Sequence, residues 1–204
     1  MSAKRILVVV SCLLFVLCPL NIPKTYACGH DGVYFGLGYT QNYMVTSEHR
    51  LGGANLGRVI FGPGFGGNAV VGYDFPGSRW GIQIPFEGTS QKLNHYEWVL
   101  QFNLAAEGVV HLKEWNNGLD FHLVGGVGGT YLTEGNTNNN SAAKGIIASL
   151  GPGLSYYFTR TEKFSASLTA EIPFRMVHYF GDNLSRGGTT LFAIPGRISI
   201  QFGF

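Results

Sequence analysis

Gly62, Gly64 and Gly67 reproduce the spacing G-x-G-x-x-G, in which the backbone amides of a helix N-terminus hold a phosphate. The next residues, Asn68-Ala69-Val70-Val71, continue a strand, so the mechanism has no helix to work through. Glycines easing a tightly curved sheet are the better explanation. Six histidines raise the question of metal or acid-base chemistry, but no His-Glu-x-x-His or comparably close spacing occurs, and no metal ligands are assigned. His178 with Ser185 or Asp182 is the nearest approach to a hydrolytic pair. No catalytic residue is assigned, and no quinone, haem, flavin or nucleotide cofactor. Five ionic residues are more informative: Glu87, Glu107, Glu171, Arg175 and Arg197 stand among residues that alternate with a bulky apolar set. If such charges are enclosed together in a narrow interior they must pair, because an isolated buried ion carries a large desolvation cost.

Whether they are enclosed depends on the elements that carry them. The 204 residues are 45% hydrophobic and only 13% charged, against roughly a quarter charged in an ordinary soluble domain. Lys4 and Arg5 precede an apolar run over 6–20, and the segment closes on Thr25-Tyr26-Ala27. This is the order of a secretory signal, cleaved after Ala27, and the run is short for a bilayer-spanning helix, which needs about 20 residues. The expected organisation is a signal over 1–27 and one domain over 28–204. Without Lys4, Arg5 and Lys24 the chain carries 11 basic residues against 12 acidic, which argues against nucleic-acid binding through a basic face. Cys12 and Cys18 fall in the signal, leaving Cys28 alone and no disulfide framework. Cys28 would be the first mature residue; lipidation there stays open, although Thr25 stands where a lipobox has an aliphatic residue.

From Val33 onward the recurring pattern has period two. In the last segment Phe192, Ile194, Ile198, Ile200, Phe202 and Phe204 share one parity, while Ala193, Arg197, Ser199, Gln201 and Gly203 share the other. The same alternation places Glu171 and Arg175 opposite Phe164, Leu168, Ile172, Phe174 and Met176, and Glu107 opposite Trp98, Leu100, Phe102 and Leu104. Strands are expected at about 33–45, 59–75, 80–91, 95–112, 119–133, 145–160, 163–180 and 190–204. An even count lets an antiparallel meander close on itself and leave no edge. Short connections at 75–79, 113–118 and 159–163 alternate with mostly longer ones at 46–58, 89–94, 134–144 and 181–188, as periplasmic turns alternate with extracellular loops.

Small, polar and ionic residues on one parity and bulky apolar residues on the other suit a narrow lumen and a hydrocarbon exterior. Aromatic residues gather near strand ends, Tyr73, Phe75, Trp80 and Phe158 at the short-turn rim and Tyr43, Trp98, Tyr131 and Tyr179 at the other, as interfacial girdles do. Counted from the short-turn rim, Glu87, Glu107, Glu171 and Arg197 come to comparable heights, with Arg175 one step of the pleat higher. Ile84-Pro85, Ile172-Pro173 and Ile194-Pro195 put prolines inside strands, where each removes a ladder donor and implies a bulge or break. Asn136 to Ser141, with Asn at four positions, reads as a surface loop.

The signal, the alternating strands, the Gly-rich segments Gly62-Pro63-Gly64-Phe65-Gly66-Gly67 and Val71-Gly72-Tyr73-Asp74-Phe75, and the ending Arg197-Ile198-Ser199-Ile200-Gln201-Phe202-Gly203-Phe204 resemble small Gram-negative outer-membrane barrels, such as the outer-membrane protein A transmembrane domain and the opacity proteins. The resemblance implies an all-β, eight-stranded antiparallel up-and-down transmembrane β-barrel, exported to the outer membrane and surrounded by lipid and lipopolysaccharide. It implies that Phe202 and Phe204 form the signal read by the barrel-assembly machinery. It also implies a structural or surface-interaction role without catalysis, with a lumen closed by Glu87, Glu107, Glu171, Arg175 and Arg197 and loops that either carry an extracellular ligand or bear none. A narrow channel, a lipid-modifying enzyme and a soluble lipocalin-like barrel are the alternatives. The lipid A deacylases share the eight-stranded barrel and use a His-x-Ser pair, which this chain lacks.

Overall fold

The structure is a computed structural model that describes residues 31–45, 63–93, 97–134, 142–161, 163–180 and 189–204. The expected signal, Cys28, Gly62, Asn136 to Ser141, Asp182 and Ser185 lie outside the described residues. Nine strands form one antiparallel sheet: β1 (Gly32–Val45), β2 (Gly64–Asp74), β3 (Trp80–Leu93), β4 (Glu97–Glu114), β5 (Leu119–Glu134), β6 (Ala142–Arg160), β7 (Ser165–Glu171), β8 (Phe174–Tyr179) and β9 (Thr189–Gly203). Both β7 and β8 pair with β6 on one side and β9 on the other, so they are two halves of one stave. β1 pairs with β9 from Tyr34↔Gly203 to Val45↔Phe192, which closes an eight-stave barrel with no free edge.

The break between β7 and β8 has a specific cause. Glu171 pairs with Arg197 and Arg175 with Ala193, which sets Pro173 opposite Pro195, so neither strand can donate there. The Ile172 amide turns instead to the Pro152 carbonyl at 2.9 Å. Pro85 and Pro195 leave their own strands continuous, but each brings the expected local break in pairing: β3 loses its pairing with β4 between Gln83 and Phe86, and β9 changes partner from β7 to β8 between Arg197 and Ala193. Tight turns join the staves at one end. Gly77 (φ +66°) and Gly118 (φ +84°) supply left-handed positions in two of them. The second is closed by Trp115 N to Leu119 O at 2.7 Å and Gly118 N to Trp115 O at 3.0 Å.

At the opposite end one expectation needs correcting. β3 continues to Leu93, paired with Glu97, so its connection to β4 is residues 94–96 and not a loop from Thr89. The alternation of Ser90, Gln91 and Lys92 with their neighbours extends the ladder past the polar residues that suggested a loop.

The interior is where the alternation places it. Phe192, Ile194, Ile198 and Ile200 are exposed on the outside, while Ala193, Arg197 and Ser199 are buried within. Leu37, Ile84, Phe86, Leu104, Leu150 and Phe174 continue the outward apolar face around the barrel. Tyr43, Trp98 and Tyr131 are exposed towards the end opposite the short turns, and Phe75 and Phe158 towards the short-turn end. Tyr179, expected in the outer girdle, is instead completely buried. It shares its parity with Glu171, Arg175 and Val177, and strand parity overrides its aromatic character.

Candidate functional site in the barrel lumen

Four groups of side chains fill the lumen. Glu87 on β3 faces Arg175 on β8 across the barrel, and the two form a bidentate pair, Nη1 to Oε2 at 2.7 Å and Nη2 to Oε1 at 2.8 Å. Arg197 on β9 lies beneath and reaches three carboxylates: Glu87 Oε1 at 3.3 Å, Glu107 Oε2 at 2.8 Å and Glu171 Oε2 at 2.7 Å. All five sequence-identified ionic residues are thus brought into one connected network, with relative exposures of 1–6%. Arg175 sits four residues from Arg197 in the β9 register, opposite Ala193, and Glu87 is the carboxylate that bridges the two guanidinium levels. Neutral donors complete the coordination. Gln83 Nε2 donates to Glu107 at 3.0 Å and to Glu171 at 3.1 Å; Ser149 Oγ donates to Glu107 at 2.9 Å, and Asn103 Nδ2 to Glu87 at 3.3 Å. A charged group this deep is tolerable only with such partners on each oxygen.

Above this level, away from the short turns, lies an amide layer centred on Gln101. Its Oε1 accepts from Asn42 at 3.0 Å and Gln91 at 3.1 Å, while its Nε2 donates to Asn103 Oδ1 at 3.1 Å and to the Tyr179 hydroxyl at 3.2 Å. Around this layer, inward-facing Met44, Val99, Leu132, Val177 and Leu191 belong with Tyr179 to one buried apolar cluster. Sequence reasoning missed this apolar cluster, because it took the inward parity to be small, polar or ionic. The signal was present in Val99, Val177 and Leu191, which occupy the inward parity of their strands.

Below the ionic level, at the short-turn end, a fourth group gathers that the sequence spacing did not suggest. His111 on β4 pairs directly with His122 on β5, and Asp120 lies two residues from His122 on the same face. His111 Nδ1 lies 2.7 Å from Asp120 Oδ2, and its Nε2 lies 3.4 Å from Asp74 Oδ1. His122 Nδ1 lies 3.4 Å from Asp120 Oδ2, and its Nε2 lies 3.5 Å from Glu171 Oε1. One ligand atom from each of His111, Asp120 and His122 falls within 4.8 Å of the others. Tyr34, whose hydroxyl donates to Gln83 Oε1 at 3.1 Å, joins this group to the ionic level. Small residues make the room: a side chain at Gly72 would run into the Tyr34 ring, and a Cβ at Gly153 would stand 2.2 Å from His122 Nε2. A linear search for metal spacings misses the cluster because its members come from both arms of a hairpin. His178 on β8 takes no part and bonds Thr190 Oγ1 through Nδ1 at 2.9 Å.

On the outside, at the seam where β9 meets β1, Phe35, Phe164, Phe202 and Phe204 form one aromatic patch with centroid separations of 5.6–6.3 Å. The Phe204 amide completes the seam by donating to the Val33 carbonyl at 2.9 Å.

No protein-family model matches the chain, and neither does any curated protein. Among solved structures it is similar to Neisserial surface protein A, with a TM-score of 0.62 at 12% identity over 88% of this chain and 99% of that one. It also matches Ail, the attachment invasion locus protein of Yersinia pestis (TM-score 0.45, 14% identity, 84% of this chain and 99% of that one). A third match is the N-terminal β-barrel domain of Pseudomonas aeruginosa OprF (TM-score 0.40, 14% identity, 83% and 98%). At such identities the likeness to the first is one of fold: the chain has the closed eight-stranded antiparallel architecture of small outer-membrane barrels.

Proposed function

We propose that this chain is an integral outer-membrane protein of a Gram-negative bacterium, non-catalytic and non-conducting, with a structural or surface-interaction role. The observation that carries the reading is the connected Glu87, Arg175, Arg197, Glu107 and Glu171 network, which spans the lumen with no member more than 6% exposed. Solutes would have to break several charge-assisted bonds in a low-dielectric interior, and then pass the amide layer and the apolar cluster around it. The outward apolar belt is suited to acyl chains and lipopolysaccharide, because a barrel alone among sheets leaves no backbone group unsatisfied in lipid. Short turns face the periplasm in this reading, and the opposite rim of the barrel faces outwards, where an extracellular ligand would meet it. Phe202, in the strand β9 that closes the barrel against β1, and Phe204, just past its end, serve as the feature recognised by the assembly machinery.

Conductance separates this reading from its main rival, a narrow channel. Purified, detergent-folded protein inserted in a planar bilayer is expected to give no discrete current steps, with insertion verified by heat-modifiable migration on a gel. Regular unitary steps from the wild-type protein would establish the channel instead.

A further inference from the structure

We propose that the short-turn end of the lumen is a binding site for a late first-row divalent metal of the zinc class, held by His111 Nδ1, His122 Nδ1 and Asp120 Oδ2. The two imidazole nitrogens converge on the same carboxylate oxygen at 2.7 and 3.4 Å. In tetrahedral zinc, ligand atoms about 2.0–2.2 Å from the ion stand about 3.3–3.6 Å apart, so the His122 separation is already what a bound ion requires and the shorter His111 contact would open to admit it. Two imidazoles and one carboxylate select such an ion over calcium or magnesium, which take oxygen ligands throughout.

Three further observations point to a ligand. Each histidine turns its remaining nitrogen to a different carboxylate, His111 Nε2 to Asp74 at 3.4 Å and His122 Nε2 to Glu171 at 3.5 Å. That is the outer-shell arrangement which fixes ring orientation and tautomer around a metal. Next, His122 is only 2% exposed, yet its Nδ1, one of the three proposed ligand atoms, has no hydrogen-bond partner. Buried polar atoms left in this condition carry a free-energy penalty that coordination of a cation would remove. Finally, the charges do not balance. Among the described buried residues there are five carboxylates, Asp74, Glu87, Glu107, Asp120 and Glu171, against two guanidiniums, Arg175 and Arg197. A dication with neutral imidazoles supplies two of the missing positive charges at the level where the carboxylates lack an arginine. Bound there, the ion ties β4 and β5 together and, through Asp74 and Glu171, braces β2 and β7. The fourth position is left for water.

The inference stands whether or not the barrel conducts. Its test is calorimetric titration of zinc chloride into chelator-treated full mature protein folded in detergent. One equivalent per barrel is expected, with affinity falling at least about tenfold in both His111→Gln and His122→Asn and unchanged in His178→Asn. Absence of saturable binding, or affinity unaltered in the first two variants, would overturn the proposal; two imidazolium ions would then be the counter-charge. Should either variant fail to fold, the visible spectrum of wild-type protein with cobalt chloride decides. Intense bands of four-coordinate cobalt support the site, and the weak spectrum of aquated cobalt contradicts it.

Discussion

Arg197→Ala is expected to destabilise the barrel by about 3–5 kcal/mol, the range for removing one partner of a buried ionic group and leaving the others uncompensated. Arg197 is the only described group that contacts Glu87, Glu107 and Glu171 together, so its loss strands three carboxylates at once. Arg175→Ala is expected to cost less, because Glu87 retains Arg197 at 3.3 Å and Asn103 at 3.3 Å. Urea unfolding in lipid vesicles reads the difference. Pairing Arg197→Ala with Glu107→Gln and Glu171→Gln should recover part of the loss, since the penalty lies in the unpaired carboxylates and not in the missing guanidinium itself. Equal small effects for both arginines would mean that water reaches the network and screens it. In planar bilayers, the Arg197→Ala variant is also expected to show current that wild-type protein lacks, because the lowest guanidinium bridge of the plug is gone.

A second large effect lies on the opposite face of the wall. Leu104, near the middle of β4, is 54% exposed and points outwards. An arginine there faces hydrocarbon if the belt is embedded, at a cost of about 2–4 kcal/mol near the bilayer midplane. Phe158 is equally exposed but lies near the end of β6 at the short-turn rim. Phe158→Arg should cost no more than about 1 kcal/mol, because at the interface the side chain reaches headgroups and water. The contrast between the two positions is the signature of depth. Were the exterior in water, both substitutions would sit on a solvated surface and neither would matter much.

Much of this was legible in the sequence because a β-strand has a side-chain period of two, and one face of most strands here is predominantly apolar. The β9 alternation from Phe192 to Phe204 fixes which residues point into the lumen, and with them Arg197 and Ser199. Parity alone also fixes Tyr179 as inward, and the error there came from giving aromatic character precedence over position. Register was not legible. Whether Arg197 meets Glu171, or His111 meets His122, depends on pairing across turns and on the shift between His111 and Lys113, which no single strand reveals. Height counting from the short turns brought the five ionic residues to one neighbourhood, but it gave no indication that Glu87 bridges two guanidinium levels. The apolar cluster was hidden for a different reason: Val99, Val177 and Leu191 are too few per strand to disturb an alternation that the outward face dominates.

The claim on which the rest depends is that the apolar face of the wall meets lipid while the ionic face meets itself. Single nitroxide labels placed one at a time at 98 to 104 along β4, in a Cys28→Ser background reconstituted into liposomes, test it directly. Collision with dissolved oxygen, which concentrates in acyl chains, should peak at 98, 100, 102 and 104, where Trp98, Leu100, Phe102 and Leu104 are exposed, and fall at 99, 101 and 103, where Val99, Gln101 and Asn103 are buried. Alternation in the opposite phase, or outward positions reached more readily by a water-soluble nickel chelate than by oxygen, would contradict the account.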